Sequence, residues 1–351
     1  MLVEEWRFID LDLIQLEKLH GIEEVLAKSR RVKPTILFWR ANKPVLTLGY
    51  FARAEDKLNL EKCWKLGIWF VRRLTGGSVG PLNPNILSYS LIVNEDNNVI
   101  PEKIEESYQM ICDGIVKALK KIGLNAYLTR ISDVEVEGRK VSGNAQTRVW
   151  GKILQHGFIY LELDLETFKS LLNVEKLGEK KVYSLDERVT WVNRELKKVG
   201  KKPLTINEFK PYLKKGFEEA LNVKLRDDSL TSLEEKKAEK YAEKFFMDDW
   251  NLKPELFKTA NKRMVCKVGE KTIKISAFIQ NKKIKDILVT GNFNPKLNKE
   301  FLALSQKLKG ILAEKNVIFS VIDGFFREKK LSLDEIDVEE IVNAVVKAVK
   351  T

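Results

Sequence analysis

Three clusters in this 351-residue chain combine residue types and spacings that chemistry uses. The first is Arg72-Arg73-Leu74-Thr75-Gly76-Gly77-Ser78, a strand running into a glycine turn. Two glycines let the backbone approach a ligand closely, and their N–H groups can hold an anion or a carbonyl. Adjacent strand residues point to opposite faces, so one arginine reaches a phosphate while the other braces the scaffold. The second is Gly138-Arg139-Lys140-Val141-Ser142-Gly143-Asn144-Ala145-Gln146, read as a hairpin followed by a polar, glycine-containing turn. A point positive charge at a strand edge there suits a site that grips a carboxylate undergoing activation. The third is Gln155-His156-Gly157, entering the strand Phe158-Ile159-Tyr160-Leu161. A histidine in such a place is structural more often than catalytic. Taken singly, each cluster also fits a plain strand, turn or solvated loop.

The elements that must position these clusters follow from periodicity. A helix is expected over 13–28, with Leu16, Leu19, Ile22, Val25 and Leu26 on one face. Strands over 35–39 and 45–50 are expected to be joined by a turn at Asn42-Lys43-Pro44. A short helix near 59–66, strands over 68–73 and 86–93, and an amphipathic helix over 101–122 come next. A hairpin over 134–142 turning at Glu137-Gly138, a strand over 153–163 and a helix over 205–222 complete a first domain. Without a regular βαβ rhythm, the fold class is α+β: a large domain with a mixed or antiparallel sheet packed by helices, plus a small α+β C-terminal domain. The expected boundaries are 1–225 and 232–351, with a charged linker between; the second domain reads as a helix, strands over 262–269, 271–280 and 284–291, then two helices.

Composition narrows the function. The chain is 44% hydrophobic and 32% charged, which is ordinary for a globular protein. It has no run of about 20 apolar residues and no basic segment leading into an apolar one, so no membrane span or signal peptide is expected and a cytoplasmic location is. Cys63, Cys112 and Cys266 are widely spaced, which argues against a zinc site or disulfide framework. His20 and His156 are the two histidines, too few for a His-rich metal centre. A net charge of +12 suits an acidic partner, while the scattered lysines and lack of interleaved aromatics speak against nucleic acid.

Together the three clusters resemble the lipoate–protein ligase and octanoyltransferase family. The resemblance also takes in Phe38-Trp39-Arg40, the segment from Pro44 to Tyr50, Glu187-Arg188-Val189-Thr190, and Asp249-Trp250-Asn251, which looks like the start of an accessory domain. It implies a biotin/lipoate ligase-like fold. It implies that Lys140 contacts the acyl carboxylate and adenylate, and that Arg72, Thr75, Gly76, Gly77 and Ser78 line the lipoyl and adenylate pocket. Ser142, Gly143, Asn144 and Ala145 would form the turn beside it, with His156 and Gly157 packed behind the ligand. Asp133 falls where ligases carry an Asn-Asp pair near nucleotide and Mg²⁺, although Ser132 precedes it here. Family members follow the double glycine with residues ending in His-Asp; this chain has Ser78-Val79-Gly80-Pro81-Leu82-Asn83-Pro84-Asn85, stiffened by two prolines.

Within that family the expectation is an ATP-dependent lipoate–protein ligase using ATP and Mg²⁺, forming lipoyl-AMP and passing the lipoyl group to a lysine of an acidic acceptor protein. Lipoate or octanoate is the small-molecule substrate, with neither nucleic acid nor membrane as partner. Cysteine-dependent transferases place their cysteine shortly before the lysine motif, and 124–139 contains none here. A cysteine-independent octanoyl or lipoyl transferase using Lys140 as a proton shuttle, and a non-catalytic lipoyl-binding paralogue, are the alternatives. A biotin ligase ranks lower, lacking its glycine-arginine-rich nucleotide signature.

Overall fold

The computed structural model describes residues 3–30, 33–129, 132–268, 271–291, 295–329 and 337–350. The chain divides into two compact units, 1–57 with 69–245 and 58–68 with 246–351.

Among the described residues, the first unit is built on eleven strands: β1 (Glu4–Ile14), β2 (Thr35–Ala41), β3 (Val45–Leu48), β4 (Phe70–Arg72), β5 (Val79–Leu82), β6 (Ile86–Asn94), β7 (Ala126–Thr129), β8 (Asp133–Val136), β9 (Arg139–Val149), β10 (Lys152–Tyr160) and β11 (Val223–Asp227). Eight form one sheet in the order β11-β1-β2-β6-β10-β9-β8-β7, and β4-β3-β5 form a second. In the large sheet β11, β1 and β2 run parallel, and the pairs from β2 to β7 are antiparallel. Period-two alternation sends Ile36 and Phe38 of β2, Leu87, Tyr89, Leu91 and Val93 of β6, and Ile153 and Ile159 of β10 into one buried core. Helices Ile104–Lys121 and Ile206–Leu221 cover that face with Ile111, Ile115, Leu119, Phe209, Leu213 and Phe217. The intervening residues Trp39, Ser88, Ser90, His156 and Phe158 face the other side, where helix Leu16–Lys28 packs.

Several local expectations change. β2 and β3 are not a hairpin: they belong to different sheets. Residues 142–146 are not a turn, because β9 runs to Val149 and pairs with β10 from Ser142 to Val149. Val79–Leu82 is a strand, with Pro81 tolerated because β5 is an edge of its sheet. The division between units also differs from 225/232. Arg7 binds Asp228 and Glu234, and Gly21 lies against Ala238 and Ala242, so helix Ser232–Ala242 belongs to the first unit.

The second unit packs β12 (Lys262–Val268), β13 (Lys271–Gln280) and β14 (Lys283–Gly291) against helices Pro295–Lys307, Lys315–Glu328 and Val338–Lys350, one helix more than expected after the sheet. The early helix Leu60–Leu66, stopped by Gly67 at φ 65°, also belongs to this unit. Among the described residues, no helix is long and apolar enough to cross a membrane.

Candidate functional site: a cavity on the inner face of the large sheet

One row of paired residues crosses five strands. Asp133 of β8 faces Gly143 of β9, which faces Phe158 of β10, then Ser88 of β6 and Trp39 of β2. A cavity of about 220 Å³ lies along this row, bounded also by Thr47 of β3 and by Val79, Gly80 and Leu82 of β5. Lys140, Asp133, Gly77, Ser78, Gly143, Asn144, Ala145, His156 and Gly157, all singled out in the sequence, line it.

At one end Lys140 Nζ donates to Asp133 Oδ1 at 2.6 Å, with the two side chains 31% and 20% exposed. This is the accessible end. A Cβ on Gly143 would lie 2.6 Å from Lys140 Nζ and 3.0 Å from the Phe158 ring, so glycine is what lets the lysine lie over the strand. Asn144 holds the segment carrying Asp133: its backbone N–H and its Nδ2 both donate to Ser132 O, at 3.0 and 2.9 Å. Tyr89 O–H donates to Asn144 Oδ1 in turn. The lysine's backbone is fixed by Thr190 N–H, which donates to Lys140 O at 2.9 Å. Thr190 O–H bonds Glu195, which also pairs with Arg139, so the Val189-Thr190 motif is a brace for the lysine strand.

The arginine pair divides as strand alternation requires, with the roles reversed from the expectation. Arg72 does not line the cavity; it turns away and donates to the carbonyls of Gly49, Tyr50 and Ala52. Arg73 faces the cavity and ties the 75–78 loop, donating to Thr75 Oγ1 at 3.0 Å, Gly76 O at 2.6 Å and Ser78 O at 3.1 Å. Burial pushes its guanidinium down to about 10, against the pull of Glu23, so it is cationic at neutral pH. Gly77 turns at φ 99°, a conformation side chains resist. Thr75, Gly76 and Ser142 are not among the lining residues; Thr75 is buried behind the wall.

At the other end lies a network in which Glu23 and His20 did not stand out in the sequence. Glu23 of helix Leu16–Lys28, wholly buried, accepts from His20 Nδ1 at 2.7 Å, from His156 Nδ1 at 2.9 Å and from Ser90 O–H at 2.6 Å. Trp39 Nε1 donates to Ser90 Oγ, and Thr75 O–H donates to His156 Nε2 at 2.7 Å. Burial alone would raise the Glu23 carboxyl, but the two imidazoles hold it well below the ordinary carboxylate range. Burial lowers His156 despite Glu23, leaving that imidazole neutral. The negative Glu23 and the cationic Arg73 attract one another. The sequence signal was two polar residues, His20 and Glu23, one helical turn apart on the face that carries Leu16 and Leu19. The histidines therefore do meet, and His20, Glu23 and His156 form the one group of three close potential metal ligands among the described residues. Asp133, expected beside magnesium, is not in that group and accepts the lysine ammonium.

Residues 17–218 match the family described as Lipoyl protein ligase A/B catalytic domain. The chain is 34% identical over 282 residues to Octanoyltransferase LipM of Geobacillus kaustophilus, covering 72% of this chain and all of that relative. It is 32% identical over 279 residues to Octanoyltransferase LipM of Bacillus subtilis, covering 71% and 99%. Among solved structures, a bi-partite lipoate protein ligase from Thermoplasma acidophilum matches with a TM-score of 0.64 at 26% identity, over 71% of this chain and 96% of that one. A lipoate-protein ligase A bound with ATP matches at 0.61 and 25%, over 71% and 98%. The relatives named for octanoyl transfer overturn the expected ATP-dependent lipoate ligation and favour its transferase alternative. An acyl thioester is already activated, so transfer from one has no need of adenylation or of the expected ATP and Mg²⁺. The chain, with its α+β lipoate ligase-like fold, belongs to the lipoyl protein ligase A/B catalytic-domain family.

Proposed function

We propose that the first unit moves an octanoyl- or lipoyl-type acyl group from a thioester donor directly to a lysine amine of an acceptor protein, with no cysteine intermediate and no nucleotide. The observation that carries this is the Lys140–Asp133 pair at the accessible end of a cavity with no cysteine among its described lining residues. Cys112 lies in the opposite core and burial pushes its thiol up to about 12, while Cys63 and Cys266 belong to the other unit. None of the three is an activated thiolate.

In this reading the acyl chain lies along the row of paired strands with its carbonyl at Lys140. The acceptor amine attacks the thioester carbon, and Lys140 and the N–H groups near Gly77 and Ser78 stabilise the developing oxyanion. Asp133 takes the proton from the attacking nitrogen, the C–S bond breaks, and Lys140 gives a proton to the leaving sulfur. Proton passage across the 2.6 Å Asp133–Lys140 contact restores both groups. The remaining site residues act as walls and braces: Gly143, Ala145 and Gly157 leave room, Asn144 holds the segment carrying Asp133 with Ser142 beside it, and Thr75 and Gly76 anchor the loop through Arg73. The acceptor is a lipoyl-domain-type protein, and the +12 charge suits an acidic one.

The test is an octanoyl thioester mixed with enzyme and a lipoyl-domain acceptor in nucleotide-free buffer, read by acceptor mass. Acceptor gaining one octanoyl group supports the proposal. Modification only from free acid with MgATP contradicts it.

A further inference from the structure

Two buried polar atoms on cavity-lining residues have no hydrogen-bond partner among the described residues: His20 Nε2 and Ser88 Oγ. Both side chains line the cavity, and the residues are 1% and 0% exposed. His20 is held in a single orientation, because its Nδ1–H is committed to Glu23 Oε2, which leaves Nε2 as an acceptor. Ser88 supplies a hydroxyl that donates or accepts. Trp39, whose indole N–H is spent on Ser90, and Leu82 add apolar wall beside them.

Their place in the row sets what meets them. Lys140 Nζ lies over Gly143, and Gly143, Phe158 and Ser88 are successive paired residues on β9, β10 and β6. Two strand spacings separate the lysine from Ser88, roughly 10 Å, which matches an extended eight-carbon acyl chain. A carbonyl at Lys140 thus puts the far end of the chain at Ser88 and His20. A bare methyl end then strands both, whereas a hydroxyl or thiol can donate to His20 Nε2 and accept from Ser88.

We propose that His20 and Ser88 form a tail subsite that selects acyl chains bearing a hydroxyl or thiol near their far end, such as the dithiol form of a lipoyl chain, over the bare octanoyl chain. This rests on the acyl-transfer reading for its direction along the cavity. Glu23 is a positioning residue for the subsite, acting through His20.

The experiment measures binding without turnover: Trp39 lines the cavity, so quenching of tryptophan fluorescence, checked by calorimetry, follows octanoate and 8-hydroxyoctanoate on the full-length protein. The hydroxylated acid is expected to bind about tenfold more tightly or better. His20→Leu should bring the two acids within about twofold, and Ser88→Ala should narrow the gap. With the matching thioesters and acceptor, the preference should appear in KM and leave kcat unchanged. Equal or tighter octanoate binding in the wild type, a preference that survives both substitutions, or no response to either acid overturns the subsite. If His20→Leu fails to fold, the wild-type ratio and Ser88→Ala decide. Loss of transfer from every thioester, with the binding preference intact, would instead remove the transferase reading and leave the subsite standing.

Discussion

The Lys140 ammonium and Asp133 carboxylate sit 2.6 Å apart, so the pair is a charge-assisted hydrogen bond as well as an ion pair. Both groups are partly exposed, and screening makes their contribution to stability small; their proton traffic is what matters. Lys140→Ala should lower acyl transfer by a factor of about 10² to 10⁴, with circular dichroism and melting behaviour close to wild type. Near-normal turnover would mean that another group moves the proton. Which residues gather here was partly legible: the segments around Gly77, Lys140 and His156 meet in one cavity. Arg72 and Arg73 were exchanged because alternation says that neighbours face apart but does not say which faces in. His20 and Glu23 were hidden for a different reason. On an apolar helix face, polar residues read as interruptions until the partners from β6 and β10 are in view.

At the scale of single elements, β9 carries the design. Its polar run, Ser142-Gly143-Asn144-Ala145-Gln146, reads as a loop by composition, yet it pairs with β10 because one face lines the cavity and the other is satisfied by Ser107, Tyr89 and Gln155. Gly143→Ala places a methyl against the lysine's flexible end, so the fold should persist while transfer falls by about 10- to 100-fold; unchanged kinetics would show that Lys140 need not lie over Gly143. Helix Leu16–Lys28 and β10 share the buried Glu23 network, which makes a pH prediction. His156 is depressed from its usual 6.5 by burial, so below that pH the unfolded chain binds the proton that the folded one resists. Stability should therefore fall as pH drops from 7 towards 5, at no more than about 1.4 kcal/mol per pH unit from this group. Glu23, depressed below the ordinary carboxylate range, stays ionised in that window and does not contribute to the slope. Denaturant unfolding of His156→Gln should show a shallower pH dependence; the same slope would assign it elsewhere. β1 and β11 escaped the sequence reading because their parallel pairing joins residues more than 200 positions apart.

For the whole molecule, the order of strand and helix patterns gave the α+β class, composition gave the net positive charge, and motif order gave the family. What it could not give was the division of the chain, since helix Leu60–Leu66 and helix Ser232–Ala242 each belong to a unit on the far side of the expected boundary. Nor did it separate ligation from transfer: a lysine at an acyl carbonyl serves either chemistry. The net charge of +12 makes a separate prediction. Raising salt from about 0.05 M to 0.5 M should lower kcat/KM for a protein acceptor several-fold and barely change it for a small amine acceptor, because screening acts on long-range docking; equal effects would remove charge from the docking account. The central claim is direct, nucleotide-free transfer with no cysteine in the path. Its most direct test is the rate of acceptor acylation from an octanoyl thioester by a protein carrying Cys63→Ser, Cys112→Ala and Cys266→Ser. A rate within about twofold of wild type, without ATP and with no acyl-enzyme in the intact mass, is the predicted result; abolished transfer in that variant, or a strict requirement for ATP, would contradict it.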